Sequence, residues 1–403
     1  MVFLYDDKAY PYDDLLNSIS GNGSYYPMYR SKELFPYFTN LIKALAASLP
    51  LTLIDADISI SEIPGVHETD INREIAFEPR VYNSIDEVVA ALRLSRSEIT
   101  LFTSGTTGQP KKVTHSISTL TRAVRCGERY AGQVWAYAYN PTHMAGLQVF
   151  FQAFENKNTL INVFGKTREQ IYGQIVDRHV THISATPTFY RLLLPYEKSC
   201  DNVLRVTLGG EKSDRHLYES IQRIFPNARI NNVYASTEAG SLFAAKGDCF
   251  QIPETLRNKF KVVDDELLIH KSLLGSSDSF QFTDDFYHSG DLIEWVDKDA
   301  GLFRFKSRKN ELINVGGYKV NPDEVETAIM AMAGVRQALV YGKTNSILGN
   351  VLCADIQLEE GFTLTELDIR KELAGQLQDF KIPRRIRFVG EMSLTRTGKL
   401  KRS

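Results

Sequence analysis

The sequence is poor in the features that mark specialised classes of protein. It has only four cysteines in 403 residues, Cys126, Cys200, Cys249 and Cys353, and no two lie close together. That spacing suggests neither a zinc site nor a disulfide framework, and a reducing cytoplasm is the compartment it fits. No stretch approaches the ~20 apolar residues of a membrane span. The N-terminal MVFLYDDKAY has acidic residues where a secretion signal needs basic ones, and no apolar segment follows it. Charge of one sign is missing too. The formal net charge is -2, which advertises neither a nucleic-acid nor a membrane partner. There is no internal repeat and no low-complexity segment.

What is present is the composition of a folded chain, 43% hydrophobic and 24% charged. Its length exceeds one compact core and suggests roughly two or three domains. The stretch LFPYFTNLIKALAASL, beginning at Leu34, has apolar residues at helical spacing, and LTLIDADI (51–58) follows as a short buried strand. Farther on, AGQVWAYAY (131–139), THISATP (181–187) and VLRVTLGGE (203–211) read as strands. REQIYGQIVDRH (168–179) and TPTFYRLLLPY (186–196) read as helices between them. Such alternation predicts mostly parallel sheets. Residues 260–307 instead read as an antiparallel β unit with DKDAG as one of its turns. A smaller α+β stretch follows. The charged run Arg308–Glu311 has no apolar residue, and a hinge is expected near Asn310. It divides a large N-terminal part, residues 1–309, from a C-terminal part, residues 311–403.

One polar run stands out. LFTSGTTGQPKKV (101–113) follows the strand-like EITLF (98–102), and SISTLTRAVRCGERYA (116–131) can form a helix after it. A strand–loop–helix turn of small and hydroxyl residues offers backbone N–H groups and hydroxyls to a polyphosphate, with Lys111 and Lys112 adding positive charge. It is not the ordinary nucleoside-triphosphatase loop, because Pro110 stands where that pattern needs its second glycine. By composition alone the run serves equally well as a polar turn.

The string TSGTTGQPKKV resembles the phosphate-binding signature of the adenylate-forming superfamily, which includes acyl- and aryl-CoA ligases. Further segments resemble that superfamily's signatures in the same order: PTHMAGLQVF (141–150), LGGEK (208–212), NNVYASTEAG (231–240), YHSGDLIEW (287–295), FKSRKNELINVGGYKVNPDEVE (305–326) and SLTRTGKLKR (393–402). The sequence departs from the usual pattern at several positions. Ala235 replaces a Gly, Ser289 a Thr and Asn314 a Lys, and Lys112 stands where a Gly is usual.

The resemblance implies a fold and a set of roles. The fold is α/β: a large N-terminal domain of layered α/β subdomains with a small β unit, shortened at its N-terminus, and a small mobile α+β C-terminal lid. Thr103, Ser104, Gly105, Thr106, Thr107, Gly108 and Lys111 would cradle the ATP phosphates. Gly209, Gly210 and Glu211 would lie beside adenine, and Tyr234 would stack on it, with Ala235, Ser236 and Thr237 completing the nucleotide site. Asp291 would accept hydrogen bonds from the ribose hydroxyls, and Arg308 would contact ribose or phosphate. Glu238 and Thr106 would hold Mg²⁺. His143 would lie beside the acyl pocket, and Lys399 would clamp the reacting carboxylate and α-phosphate. Gly316, Gly317, Tyr318 and Lys319 would line the CoA tunnel.

The implied function is ATP-dependent activation of a small carboxylic acid to acyl-AMP, followed by thioester formation with CoA. The implied cofactors are ATP, Mg²⁺ and CoA. Two alternatives stay open: loading of a discrete acyl carrier protein, and a catalytically silent member that binds partners in a biosynthetic complex. Lys381, Arg384 and Arg385 are candidates to meet a CoA phosphate or an acidic carrier. Neither the acid nor the oligomeric state follows from the sequence.

Overall fold

The computed structural model describes all residues except 22, 64, 104–109, 196–197, 212, 247–248, 310, 316–317, 346–348, 395–399 and 401–403. The chain separates into two compact units. One comprises Met1–Lys261 with Ile269–His288, and the other Val262–Leu268 with Ser289–Ser403.

In the first unit, β1 (Val2–Tyr5) precedes a helix α1 (Leu34–Ala46). Leu34, Tyr37, Phe38, Leu41, Ile42 and Leu45 recur on one face of α1 and are buried, as its spacing predicts. Four strands then make a small sheet: β2 (Met28–Tyr29), β3 (Leu51–Leu53), β4 (Glu98–Thr103) and β5 (Lys111–Ser116), in that order across it. The first three are parallel, and β5 runs antiparallel to β4 with Thr103 opposite Lys111.

This is a correction to the expected strand–loop–helix. The polar run joins the two strands of a hairpin, and the helix after it, α2 (Ile117–Thr121), is short. The alternation Val113–His115, both buried between partly exposed neighbours, is a period-2 signal hidden behind two lysines. Ser116 caps α2 by accepting from the Thr119 N–H, which stops the strand there.

The larger sheet of this unit is mostly parallel, as the alternation predicts. Its parallel strands are β6 (Val134–Tyr137), β7 (Thr159–Asn162), β8 (His182–Ala185), β9 (Arg205–Gly209) and β10 (Arg229–Ser236), with β1 beside β7. The order across it is β10-β9-β8-β6-β7-β1. Helices α3 (Met144–Phe154), α4 (Arg168–Asp177), α5 (Pro187–Leu192) and α6 (Arg215–Ile224) connect successive strands. Their starts are chemically marked. Thr167 and Gln170 form a capping box, and Thr186 caps α5 with Pro187 at its first position. After β10 the chain turns back as β11 (Gly240–Lys246), antiparallel to it.

In the second unit, β12 (Phe286–Asp297), from Ser289 onward, forms a hairpin with β13 (Leu302–Arg308). Farther on, β14 (Ile313–Val315), β15 (Tyr318–Val320), β16 (Val335–Asn345), β17 (Gly349–Leu358) and β18 (Arg385–Phe388) build a separate sheet. Helices α7 (Pro322–Met330) and α8 (Glu366–Ala374) bury Val325, Ile329, Ile369 and Leu373 against Val340, Leu352 and Ile356 of that sheet. This is the α+β stretch expected after the β unit. Among the described residues no helix is long and apolar enough to cross a membrane.

Candidate active site

Several predicted site residues lie outside the described residues: Ser104, Gly105, Thr106, Thr107, Gly108, Gly316, Gly317 and Lys399, together with the hinge residue Asn310. The strands on either side of the polar run are described, and they place Lys111 directly opposite the Thr103 backbone.

The β10–β11 turn carries the next group. Thr237, Glu238 and Ala239 span it. Ser236 and Thr237 are residues suited to cap a helix, but the element that follows is a strand. Ser236 still performs the local part of a cap, its Oγ accepting from the Ala239 N–H at 3.2 Å. A bulge between Tyr234 and Ala235 shifts the register just before the turn. Tyr234 is buried, and its ring stacks on Phe243 of β11, with centroids 5.5 Å apart.

The turn is held from behind. His115 Nε2 lies 2.8 Å from the Thr237 carbonyl, which can only accept, so this nitrogen carries the proton. Burial pushes the imidazole down to about 4, with the Thr237 carbonyl opposing and Arg122 adding to the shift. The ring is therefore neutral at pH 7. The contact joins the strand leaving the polar run to the turn that bears Glu238. Sequence reasoning did not single out His115. Its one signal was an inward position on a strand that the two lysines disguised.

LGGEK lies at the end of β9. Gly209 closes that strand, and Gly210 follows it, exposed. The carboxylate of Glu211 accepts from the Thr188 N–H at 2.9 Å, tying this turn to the start of α5.

His143 lies at the start of α3. It stands at the N-cap of α3 with its side chain largely buried, and its Nε2 is 3.6 Å from Asp55 Oδ2. Asn140 Nδ2 donates to the same oxygen at 3.0 Å, while Asn140 Oδ1 accepts from the Thr142 N–H and hydroxyl. Burial alone would raise the Asp55 carboxyl. The nearby His143 imidazole and the hydrogen bonds that the carboxylate accepts from the Asp57 N–H and Asn140 outweigh that and hold it below the ordinary range. Asp55 is a second residue that the sequence reading missed. It follows a short apolar strand and carries no motif.

In the second unit, Asp291 is buried, and its Oδ1 accepts from Arg308 Nε at 2.7 Å across the β12–β13 pair. Glu266, also buried, accepts from the Gly290 N–H at 3.0 Å, and Lys309 Nζ lies 3.3 Å from its other oxygen. Asp291 thus sits within β12, bonded to the guanidinium of the facing strand. Tyr318 is exposed and stacks on Phe380 with centroids 4.4 Å apart, and Lys319 is exposed beside it. The basic candidates differ from one another. The Lys381 ammonium is 2.8 Å from both oxygens of Glu324, and Arg384 pairs with Asp379, whereas Arg385 lies exposed on β18.

Among the described residues no group of three or more His, Cys, Asp or Glu side chains could hold a metal by itself. Glu238 offers a hard oxygen donor. One carboxylate completed by substrate phosphates is the ordinary way to hold Mg²⁺, so the donor chemistry fits that ion.

The sequence profile of the AMP-binding enzyme family matches residues 67–267, and that of the AMP-binding enzyme C-terminal domain matches residues 324–399. The chain belongs to the adenylate-forming, AMP-binding enzymes. Two curated relatives in this family are each 26% identical to it. One is 4-hydroxybutyrate--CoA ligase 1 of Metallosphaera sedula, matched over 75% of this chain and 61% of its own length. The other is 2-succinylbenzoate--CoA ligase of Staphylococcus aureus, matched over 75% of this chain and 65% of its own length. The match thus spans less than two thirds of either relative. A solved structure, the O-succinylbenzoate coenzyme A synthetase of Bacillus subtilis in complex with ATP and magnesium ion, superimposes with a TM-score of 0.69 at 18% identity. That alignment covers 99% of this chain and 95% of that one, and at such identity the likeness is one of fold.

Proposed function

We propose that this AMP-binding enzyme is an acid–thiol ligase. It converts a small carboxylic acid and ATP to acyl-AMP and pyrophosphate, then passes the acyl group to CoA with release of AMP. The observation that carries the reading is the His115–Thr237 hydrogen bond. It ties the strand flanking the polar run to the turn bearing Glu238, which are the two segments a Mg-ATP site needs side by side.

The roles are those that the family resemblance implies, and the chemistry of the side chains supports them. Lys111 and the polar run bind the phosphates, and Glu238 orients them. Mg²⁺, when bound, neutralises phosphate charge. Asp291 is a carboxylate suited to a vicinal diol and is assigned to the ribose, with Arg308 holding it in place. His143 borders the acid, backed by Asp55. Lys399 stabilises the charge that develops as the carboxylate oxygen attacks the α-phosphorus and the bond to the pyrophosphate oxygen breaks. The acyl carbon is then attacked by the CoA thiolate, and AMP leaves with the bonding pair. Adenylation of this kind is chiefly positioning plus charge neutralisation, which suits a site of small residues, hydroxyls and few charges. CoA is preferred to a carrier protein because the curated relatives named above are CoA ligases.

The test is acid-dependent ATP–pyrophosphate exchange over a panel of aliphatic, hydroxy and aromatic acids, then thioester formation with CoA supplied. At least one acid should support exchange. Lys399→Ala should lower that exchange by about 10²–10³-fold, the usual cost of removing a group that stabilises transition-state charge. Exchange unaffected by the substitution, or absent with every acid, would overturn the assignment.

A further inference from the structure

The turn that bears Glu238 is held in an unusual way. Three successive carbonyls, those of Thr237, Glu238 and Ala239, each accept from a different part of the first unit. Thr237 accepts from His115 Nε2 of β5 at 2.8 Å. Glu238 accepts from the Gly275 N–H at 2.9 Å. Ala239 accepts from Arg122 Nη2, just beyond α2. Arg122 Nη1 reaches the Leu273 carbonyl at 3.1 Å, so one guanidinium joins the turn to the segment that carries Gly275.

That segment is itself fastened to β5. Thr114 and Ser276 exchange both backbone hydrogen bonds, at 2.8 and 2.9 Å. Gly275 packs closely against the His115 ring. A Cβ there would fall 2.6 Å from Cε1, 2.7 Å from Nδ1 and 2.7 Å from the Thr114 oxygen, which no side chain tolerates. The ring itself is fully buried, and its Nδ1 has no hydrogen-bond partner among the described residues. A buried orphan nitrogen is costly, and it is kept here along with the donor on the opposite side of the ring.

The charge points the same way. Burial lowers the Arg122 guanidinium from its usual range. The hydrogen bonds described for it go to main-chain carbonyls and not to a carboxylate. Its guanidinium thus places positive charge beside the turn, which favours negative charge in front of it.

We propose that His115 and Arg122 are positioning residues for Mg-ATP: they fix the main chain of Thr237–Ala239 so that the Glu238 carboxylate keeps one orientation toward the metal and phosphates. Gly275 is the spacer that lets the His115 ring reach the turn. The proposal rests on the reading of Glu238 as the group that orients the phosphates. It adds a mechanical link between that residue and the polar run.

The experiment measures binding of ATP to the full chain by calorimetry at a series of Mg²⁺ concentrations, with AMP in the absence of Mg²⁺ as the control ligand. His115→Leu and Arg122→Met should each raise the Mg²⁺ concentration for half-maximal ATP binding about tenfold and leave AMP affinity within twofold. A tenfold change is about 1.4 kcal/mol, one lost hydrogen bond to the turn. The conservative pair His115→Gln and His115→Asn guards against misfolding. The Gln amide reaches the Nε2 position and should restore the wild-type Mg²⁺ dependence, whereas the shorter Asn should not. Equal Mg²⁺ dependence in wild type, His115→Asn and Arg122→Met would overturn the clamp. Wild-type protein that binds no Mg-ATP at all would instead overturn the functional reading beneath it, before any variant is compared. Variants that weaken AMP and Mg-ATP alike would show a general structural role and would equally overturn the proposal.

Discussion

Asp55 and His143 show what a single contact adds to a motif. PTHMAG pointed to His143 alone, yet in the fold the imidazole lies 3.6 Å from a carboxylate 88 positions earlier in the chain. Nothing about LIDADI marks its first Asp, because the pairing exists only after β3 and α3 pack in one unit. The pair is nearly buried, so each side chain has few other partners to set its orientation. Replacing Asp55 by Asn should leave the Asn140 contact partly intact while removing the charge that His143 faces. In pyrophosphate exchange, Asp55→Asn should raise the KM for the acid about five- to tenfold, the worth of one charge-assisted contact, and leave the KM for ATP unchanged. A change in the ATP constant instead would place His143 away from the acid. His115 and Glu266 were invisible for the same reason as Asp55. Each matters through a backbone group distant in sequence, and no local spacing encodes that.

Elements were easier to read than their partners. The helices at 34–46 and 168–177 and the strands at 134–137, 182–185 and 205–209 follow from apolar period and caps. The hairpin of β4 and β5 did not, since Lys111 and Lys112 broke its alternation and the apolar residues after Ser116 suggested a longer helix. Likewise, the strand β11 after STEAG was masked by good cap chemistry at Ser236 and Thr237. Helix α3 presents a sharper case. Gly146 sits inside it, where glycine costs helix stability, and propensity alone would favour alanine there. The packing reverses that preference. A Cβ at Gly146 would lie 2.4 Å from the Asn140 carbonyl oxygen and 2.8 Å from the Tyr137 hydroxyl, both buried. Gly146→Ala should therefore destabilise the protein by about 1–3 kcal/mol, the usual cost of overpacking, despite the better helix former. Urea denaturation followed by circular dichroism measures it. A stabilised variant would mean that α3 can shift away from the loop that carries Asn140.

At the scale of the whole molecule, the balance between folded and unfolded chain depends on which groups are kept neutral inside. Two histidines of the first unit are, and both are pushed down to about 4: His115 by burial with Arg122 adding to the shift, and His182 by burial together with the charge of Arg205. In the unfolded chain each takes up a proton near the ordinary histidine value, about 6.5. Between about 4 and 6.5 the unfolded chain therefore binds more protons than the folded one, and stability rises with pH across that window. Lowering the pH from 7 to 5 should cost about 2 kcal/mol for each of the two, while Asp55, whose carboxyl is depressed, adds to the loss only as pH falls further through the carboxylate range. His182 lies against Trp135, with ring centroids 4.8 Å apart, so the tryptophan reports on its own neighbour. Trp295→Phe leaves Trp135 as the single indole, and urea unfolding of that background at pH 7 and pH 5 reads the loss directly. Adding His182→Gln should reduce the pH 5 penalty by about half. If the penalty stays the same, the protons that unfold the chain in mild acid go elsewhere and His182 is protonated in the folded state.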